Sequence, residues 1–310
     1  AVEPLKDARV YKQEVSQYLA TTDVKYVEIE KKIQRGALKN GMKYALFPTT
    51  TRDDKTYATL FVNFGTAQSL MNKSEVIDLT AYLLLRASDK YSLQDITDKT
   101  IEVSGSASAS ASDNGMVIQI SAKKDQFEHY FKYMLSVMKN PAFEQSQFDL
   151  IKSQSLSSLD RPYTEPATVS ALTIARLLEK YQPGDLRYHF EPELAKTQLK
   201  NANNAQVKQL YTEFFAMNYA QLAITGDYDA KKMLKMIQKE FSKWNGKQNY
   251  QRIADDYFEY KGQKVHALAE QREFGSYQAI QTFPMGADSP ETAAMMVFDY
   301  ILGESQLSSR

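Results

Sequence analysis

Three histidines are the only imidazoles in the 310-residue chain: His129, His189 and His266. No two have the spacing that brings both rings to one helix face, so they read as three unrelated structural or surface residues. Cysteine is absent, which excludes disulfides, thiol catalysis and thiolate zinc sites. Asp227 and Asp229 sit just before the helix expected over Ala230 to about Trp244. A carboxylate there satisfies orphan amide groups, and that capping role outweighs a metal or phosphate role. The stretch around which the chain is organised is Tyr57 to Ser88. Thr59 to Phe64 is a β-rich run that Gly65 breaks, and Ser74 with Glu75 opens a helix. Val76, Leu79 and Leu83 share one face of it, with Ile77 and Leu84 beside them, which is helical and not strand periodicity. Arg86, in the expected last turn, suits the negative end of the helix dipole. At the solvent-facing steps stand Asp78, Ala81 and Tyr82.

The composition sets the frame for these residues. The length predicts about two domains, and 43% apolar with 25% charged residues is ordinary for a globular protein. Lys plus Arg (38) equals Asp plus Glu (38), so no net field draws the chain to nucleic acid or an anionic membrane. No apolar run approaches the ~20 residues of a membrane span. The polar start AVEPLKDARVYK is not a signal peptide. The missing initiator Met and the abrupt end at ILGESQLSSR are read as marks of an excised fragment. The lack of cysteine fits either cytosol or periplasm.

Taken in order, Ala1 to about Thr22 reads as an amphipathic helix and Val24 to Glu30 as β-prone. Asn40-Gly41 between two apolar runs signals a hairpin, with Met42 to Phe47 as its outgoing strand. Ser92 is a helix N-cap. The segment Ser104 to Gly115 has linker composition, yet Ala107, Ala109 and Ala111 alternate with Ser. That alternation predicts a strand returning through Asn114-Gly115 into Met116 to Ala122. Small residues in it would let another element approach closely. Asp125 is expected to cap a helix to Lys139 with a buried stripe of Phe127, Phe131, Met134, Leu135 and Met138. Further helices are expected over Glu144–Leu159, from Glu165-Pro166 to about Lys180, over Pro192–Lys196, over Ala205–Ala216 and over Ala230–Trp244, with a strand over Tyr219–Thr225. A polar linker, Asn245 to Gly262, precedes expected strands at Lys264–Ala269 and Tyr277–Phe283. Asp288 or Ser289 then caps a final apolar helix. The pattern of strand, turn and capped apolar helix thus returns about 220 residues later, near the size of a large domain.

The order of LKNGMKYALFP, FVNFGTAQS, the helix ending LLRAS, KNPAF, DRPYTEPATV, ITGDYD and FDYILGESQLSSR resembles the insulinase/pitrilysin family of zinc peptidases, which carry the inverted motif H-x-x-E-H. The resemblance spans the chain from about Glu28. It implies an α+β fold of tandem domains, each a mainly antiparallel sheet with helices packed on it. On this reading residues 1–27 are a connector and 28–244 a complete, inactive peptidase-like domain. Residues 245–262 are a linker, and 263–310 the start of a second, truncated domain. Aligned on the motif, the two zinc histidines fall on Asp78 and Tyr82 and the general-base glutamate on Ala81. The third ligand falls near Ser157. Zinc hydrolysis needs several nitrogen or oxygen ligands, an open water position and a carboxylate to take a proton. Ala81 accepts no proton, a phenol ordinarily titrates near ~10 and is a poor neutral ligand, and one carboxylate alone does not hold zinc.

The resemblance therefore implies a non-catalytic C-terminal half of a zinc metalloendopeptidase, with no metal and no catalytic residue of its own. It would close the chamber and help to bind peptide substrates. Zinc would come from an N-terminal half or a partner subunit. Substrate-binding residues stay unassigned: the family's substrate-contacting Arg and Tyr lie downstream, and Arg310 is not the former. No nucleic-acid partner and no membrane span are expected. The location is periplasmic by family analogy, otherwise cytoplasmic. Two alternatives stand beside this reading: a structural, binding-only subunit of the same fold, and a soluble α+β binding module unrelated to proteolysis.

Overall fold

The computed structural model describes residues 26–160, 163–269 and 273–301. The helix expected over Ala1–Thr22 lies outside them. The chain divides into two compact units. The first gathers residues 26–66, Val76–Lys152 and Ala202–Gln251; the second gathers Ala67–Glu75, Ser153–Asn201 and the residues from Arg252 onward.

The first unit is built on one sheet. Its strands are β1 (Gln34–Ala37), β2 (Lys43–Pro48), β3 (Lys55–Asn63), β4 (Ser106–Ser112), β5 (Gly115–Lys123) and β6 (Gln221–Gly226). The spatial order is β1-β2-β6-β3-β5-β4. Only β2 and β6 pair in parallel; the other pairings are antiparallel. The α+β class and the mainly antiparallel sheet with helices packed on it are as expected. Alternation explains the strands. In β3, Thr56, Ala58, Leu60 and Val62 are buried, while Tyr57 and Phe61 face outward. The hairpin between β1 and β2 turns where Asn40-Gly41 stands, and Gly41 holds φ +97°, a conformation that favours glycine. A Cβ there would come within 2.6 Å of the Asn218 carbonyl. The Ser/Ala run is a strand, as its alternation predicts, and it forms one edge of the sheet.

Helices cover one face of this sheet. The first unit also holds α1 (Tyr26–Lys32), where β structure was expected. Glu28 and Lys31 stand one turn apart and pair at 2.7 Å, which favours the helix over an isolated strand. α2 (Ser74–Leu83) ends a turn earlier than expected, so Arg86 lies beyond it and bonds Gln147 Oε1 at 2.8 Å. α3 (Leu93–Glu102) begins at Ser92, as expected, in a capping box with Asp95. α4 (Lys124–Lys139) buries the whole expected stripe together with Tyr130 and Val137. Its N-cap is Lys123 and not Asp125, because the helix follows β5 without a loop and places Asp125 inside the first turn. α5 (Gln145–Leu159) buries Phe148 and Ile151. The later helices are α6 (Pro166–Leu178), α7 (Pro192–Asn201), α8 (Asn204–Phe214) and α9 (Ala230–Phe241). Asn203 and Gln206 close a capping box at α8, and Asp229 caps α9 by accepting from the Lys232 amide at 2.9 Å. Phe131 of α4 meets Phe241 of α9 at 6.4 Å, which joins these two helices over the core.

The second unit holds α6, α7 and α10 (Thr292–Asp299). The strands expected at Lys264–Ala269 and Tyr277–Phe283 are not formed among the described residues. A β-prone run becomes a strand only where a neighbour takes up its amide and carbonyl groups. Here the backbone over 252–282 makes no backbone–backbone hydrogen bond among the described residues. Neither Asp288 nor Ser289 caps α10; its N-cap is Glu291, without a side-chain bond, because the Ser289 hydroxyl accepts instead from the Gly286 amide at 2.9 Å.

Candidate functional site

The candidate site is the polar side of α2. The helix is held by what it buries: Val76, Ile77, Leu79 and Leu83 all lie in the core. Thr80 is also buried, and its hydroxyl bonds back to the Val76 carbonyl at 2.6 Å. Beyond Leu83 the chain is pinned, with the Ser88 amide on the Tyr91 carbonyl at 2.9 Å and the Ala142 amide on Ala87 at 3.0 Å. The backbone is thereby fixed, and so is the direction in which each side chain of the helix leaves it.

Asp78, Ala81 and Tyr82 follow one another at steps of three and one, so they share a sector of the helix. They do not share an environment. Tyr82 is 55% exposed, Asp78 is half-buried, and Ala81 is only 1% exposed. The expectation that all three face solvent is therefore corrected: Ala81 sits at the inner edge of the sector, against the core. Among the described residues, Asp78 has no hydrogen-bond or ion-pair partner. Burial pushes its carboxyl above the usual range. The set offers one carboxylate disfavoured in its charged form, one methyl group and one phenol. It contains no base beside a metal-binding group, so it does not fit a catalytic zinc. Ser157, the fourth position of the alignment, is exposed on α5 and belongs to the second unit.

The histidines divide in a way their spacing does not reveal. His129 and His266 are exposed. His189, in the second unit, is nearly buried at 11% side-chain exposure. Its Nδ1 lies 2.6 Å from Glu179 Oε2, and its Nε2 lies 3.5 Å from Glu191. Arg176 donates to both oxygens of Glu191, each at 2.6 Å. Burial works to raise the Glu179 carboxyl, but bonds from the His189 backbone and ring and from the Tyr181 and Lys180 amides outweigh it and hold the group below its usual range. Glu191 is held low chiefly by Arg176. Asp185 is held low by its fork with Arg187, whose guanidinium lies 4.1 Å from the Tyr181 ring centre. This cluster ties the loop between α6 and α7 to itself. Its sequence signal, acids and bases at 176, 179, 185, 187, 189 and 191, is a dense run of charge in a short segment.

The chain matches two models of one peptidase family. Residues 44–179 match the model described as insulinase (peptidase family M16), and residues 201–310 the model of the peptidase M16 inactive domain. Among curated proteins none matches. Solved structures similar to the chain include a peptidase M16 inactive domain from Pseudomonas fluorescens, with TM-score 0.66 and 15% identity over 89% of this chain and 66% of that one. A protease from Helicobacter pylori gives 0.59 and 16% over 73% and 53%. The periplasmic protease PqqL from Escherichia coli gives 0.59 and 16% over 72% and 25%. At such identities the likeness carries the fold alone. The chain spans between a quarter and two thirds of the length of these relatives.

Proposed function

The chain belongs to the insulinase (M16) peptidase family and is of its inactive-domain type, and from that premise we propose that it serves as the non-catalytic C-terminal half of a zinc metalloendopeptidase. In this role it closes the chamber and helps to hold peptide substrates. The zinc and the catalytic groups come from an N-terminal half or from a partner subunit. One observation carries the reading. α2 keeps the buried face that builds the fold, while its chemical positions are Asp78, Ala81 and Tyr82. Proton transfer from a metal-bound water needs a carboxylate in reach, and the aligned position holds a buried methyl group. The chain's own contribution is surface and shape. No helix among the described residues is long and apolar enough to cross a membrane. A periplasmic location is the proposal, in line with the description of the Escherichia coli relative.

Two measurements test this. Metal analysis of the dialysed chain is expected to find no stoichiometric zinc, and unstructured peptides are expected to survive incubation with it. Mixing with a catalytic half that carries H-x-x-E-H, encoded upstream on the same polypeptide or in an adjacent reading frame, is expected to give chelator-sensitive cleavage exceeding that of the catalytic half alone. Tight zinc in the chain alone, or the absence of H-x-x-E-H from both places, would overturn the proposal.

A further inference from the structure

We propose that the outer face of α9 is a docking surface for an anionic lipid bilayer. Lys231, Lys232, Lys235 and Lys239 of this helix are exposed, as are Lys243 and Lys247 just after it. The opposite side buries Met233, Met236, Ile237 and Phe241. At roughly 100° per residue, the four lysines of the helix, from 231 to 239, fall within less than a third of its circumference. They form a single outward face.

The acids nearby are already committed. Asp229 uses its side chain as the N-cap of α9. Glu128 pairs with Lys132 at 2.8 Å, and Glu240 with Lys139 at 2.6 Å. Among the described residues, no carboxylate lies within ion-pair distance of any of the six lysines; Lys231 and Lys232 only feel the charge of Asp229, and Lys232 also that of Glu128. Lys231, Lys235 and Lys239 are moreover spaced by four within the helix, the separation at which like charges destabilise a helix and a glutamate would stabilise it. The chain as a whole has no net charge, so this concentration is local. The repulsion is relieved when an anionic surface is brought against the face.

The composition of the face selects the kind of anion. It contains lysine and no arginine. Arginine forks are the usual readers of base edges and the usual anchors of protein interfaces. The face also carries no aromatic platform for unpaired bases: Trp244, just after the helix, is stacked on Phe241 at 6.3 Å. Lysine is a compact charge on a flexible stem with no preferred partner geometry. A convex row of such charges matches the diffuse negative potential of a bilayer that contains acidic lipids, where each lysine near the surface strengthens binding on the order of fivefold.

The test is co-flotation of the full chain with vesicles of phosphatidylcholine containing a third phosphatidylglycerol, at low salt. Binding is expected to these vesicles and not to pure phosphatidylcholine, and it is expected to fall as salt rises. The variant Lys235→Glu/Lys239→Glu/Lys243→Glu is expected to bind at least about a hundredfold more weakly, from three lost attractions of that size. Lys39→Glu/Lys90→Glu/Lys123→Glu makes the same change in net charge elsewhere and is expected to bind like the parent. Circular dichroism establishes that both variants are folded. The proposal is overturned if the parent does not float, if both variants lose binding equally, or if the chain retains a short nucleic acid or an acidic protein at the same salt while ignoring the vesicles.

Discussion

Ala81 is the residue at which burial and chemistry meet most directly. Its side chain is almost wholly out of water, so a carboxylate placed there would be charged in the core without a partner. Ala81→Glu is therefore expected to destabilise the first unit by about 3 kcal/mol or more in chemical unfolding. Tyr82→His, at a position more than half exposed, should change stability by under ~0.5 kcal/mol. Equal tolerance of the two changes would contradict the inward placement of Ala81. Asp78 gives a pH test. Burial raises its folded-state pKa above the unfolded value, so the folded state binds the proton more tightly, and stability falls as pH rises from the ordinary aspartate range through the raised value. Asp78→Asn should accordingly raise Tm at pH 7, with the gain fading towards pH 4; a gain independent of pH would place its cause elsewhere. The three positions were legible in the sequence as a helical sector. Their unequal burial was not, because what packs against a helix face comes from other parts of the chain.

At the scale of elements, the loop between α6 and α7 and the helix α9 make separate predictions. Glu179, Glu191 and Asp185 are all held below their ordinary range, so the stability they contribute is present above the unfolded carboxylate values and is lost as pH falls through the folded ones. Unfolding of the second unit should therefore become easier below about pH 4.5. Glu179→Gln, which replaces a charge-assisted acceptor of the His189 ring, should cost about 2 kcal/mol at pH 7 and flatten that acid limb. An unchanged limb would mean the cluster does not couple to folding. In α9, Lys235→Glu converts two like-charge pairs, with Lys231 and Lys239, into attractive ones. A gain of roughly 1–2 kcal/mol is expected, which is what a helix shaped for its own stability would already have. Much of this level could be read from the chain: Asn40-Gly41 signalled the β1–β2 hairpin, the Ser/Ala alternation a strand, and Ser92 and Asp229 marked helix starts. What could not be read depends on distant residues. The parallel pairing of β2 with β6 joins Lys43 to Gln221, and no local pattern encodes it. Val24 to Glu30 is β-prone by residue type, but Glu28 pairs with Lys31 one helical turn on, and the described part of that run is helix.

The whole molecule distributes its order unevenly, and that is open to measurement. In the first unit every strand is paired on at least one side, and the sheet is capped by helices with fully buried cores. In the second unit the run over 252–282 is held by side-chain ties such as the Tyr260 hydroxyl on the Leu178 carbonyl at 2.5 Å and Lys180 over the Tyr260 ring at 5.0 Å. Leu268 and Tyr277 are more than four-fifths exposed, and Met296, Val297 and Phe298 of α10 face water. A protease needs several residues of backbone outside any hydrogen-bonded element, and among the described residues this run makes no backbone–backbone hydrogen bond, with Lys261 and Lys264 exposed in it. Brief trypsin treatment of the folded chain should therefore cut there before it cuts at the equally exposed lysines of α9, whose backbone is bonded within the helix. Mass spectrometry should find an early amino-terminal fragment ending at Lys261 or Lys264. If the catalytic half pairs with this chain and covers its exposed apolar residues, adding that half should slow the cleavage severalfold. First cleavage at α9 or in the β4–β5 hairpin would show that the two units are equally well ordered. Cleavage that ignores the catalytic half would place the pairing surface away from this run.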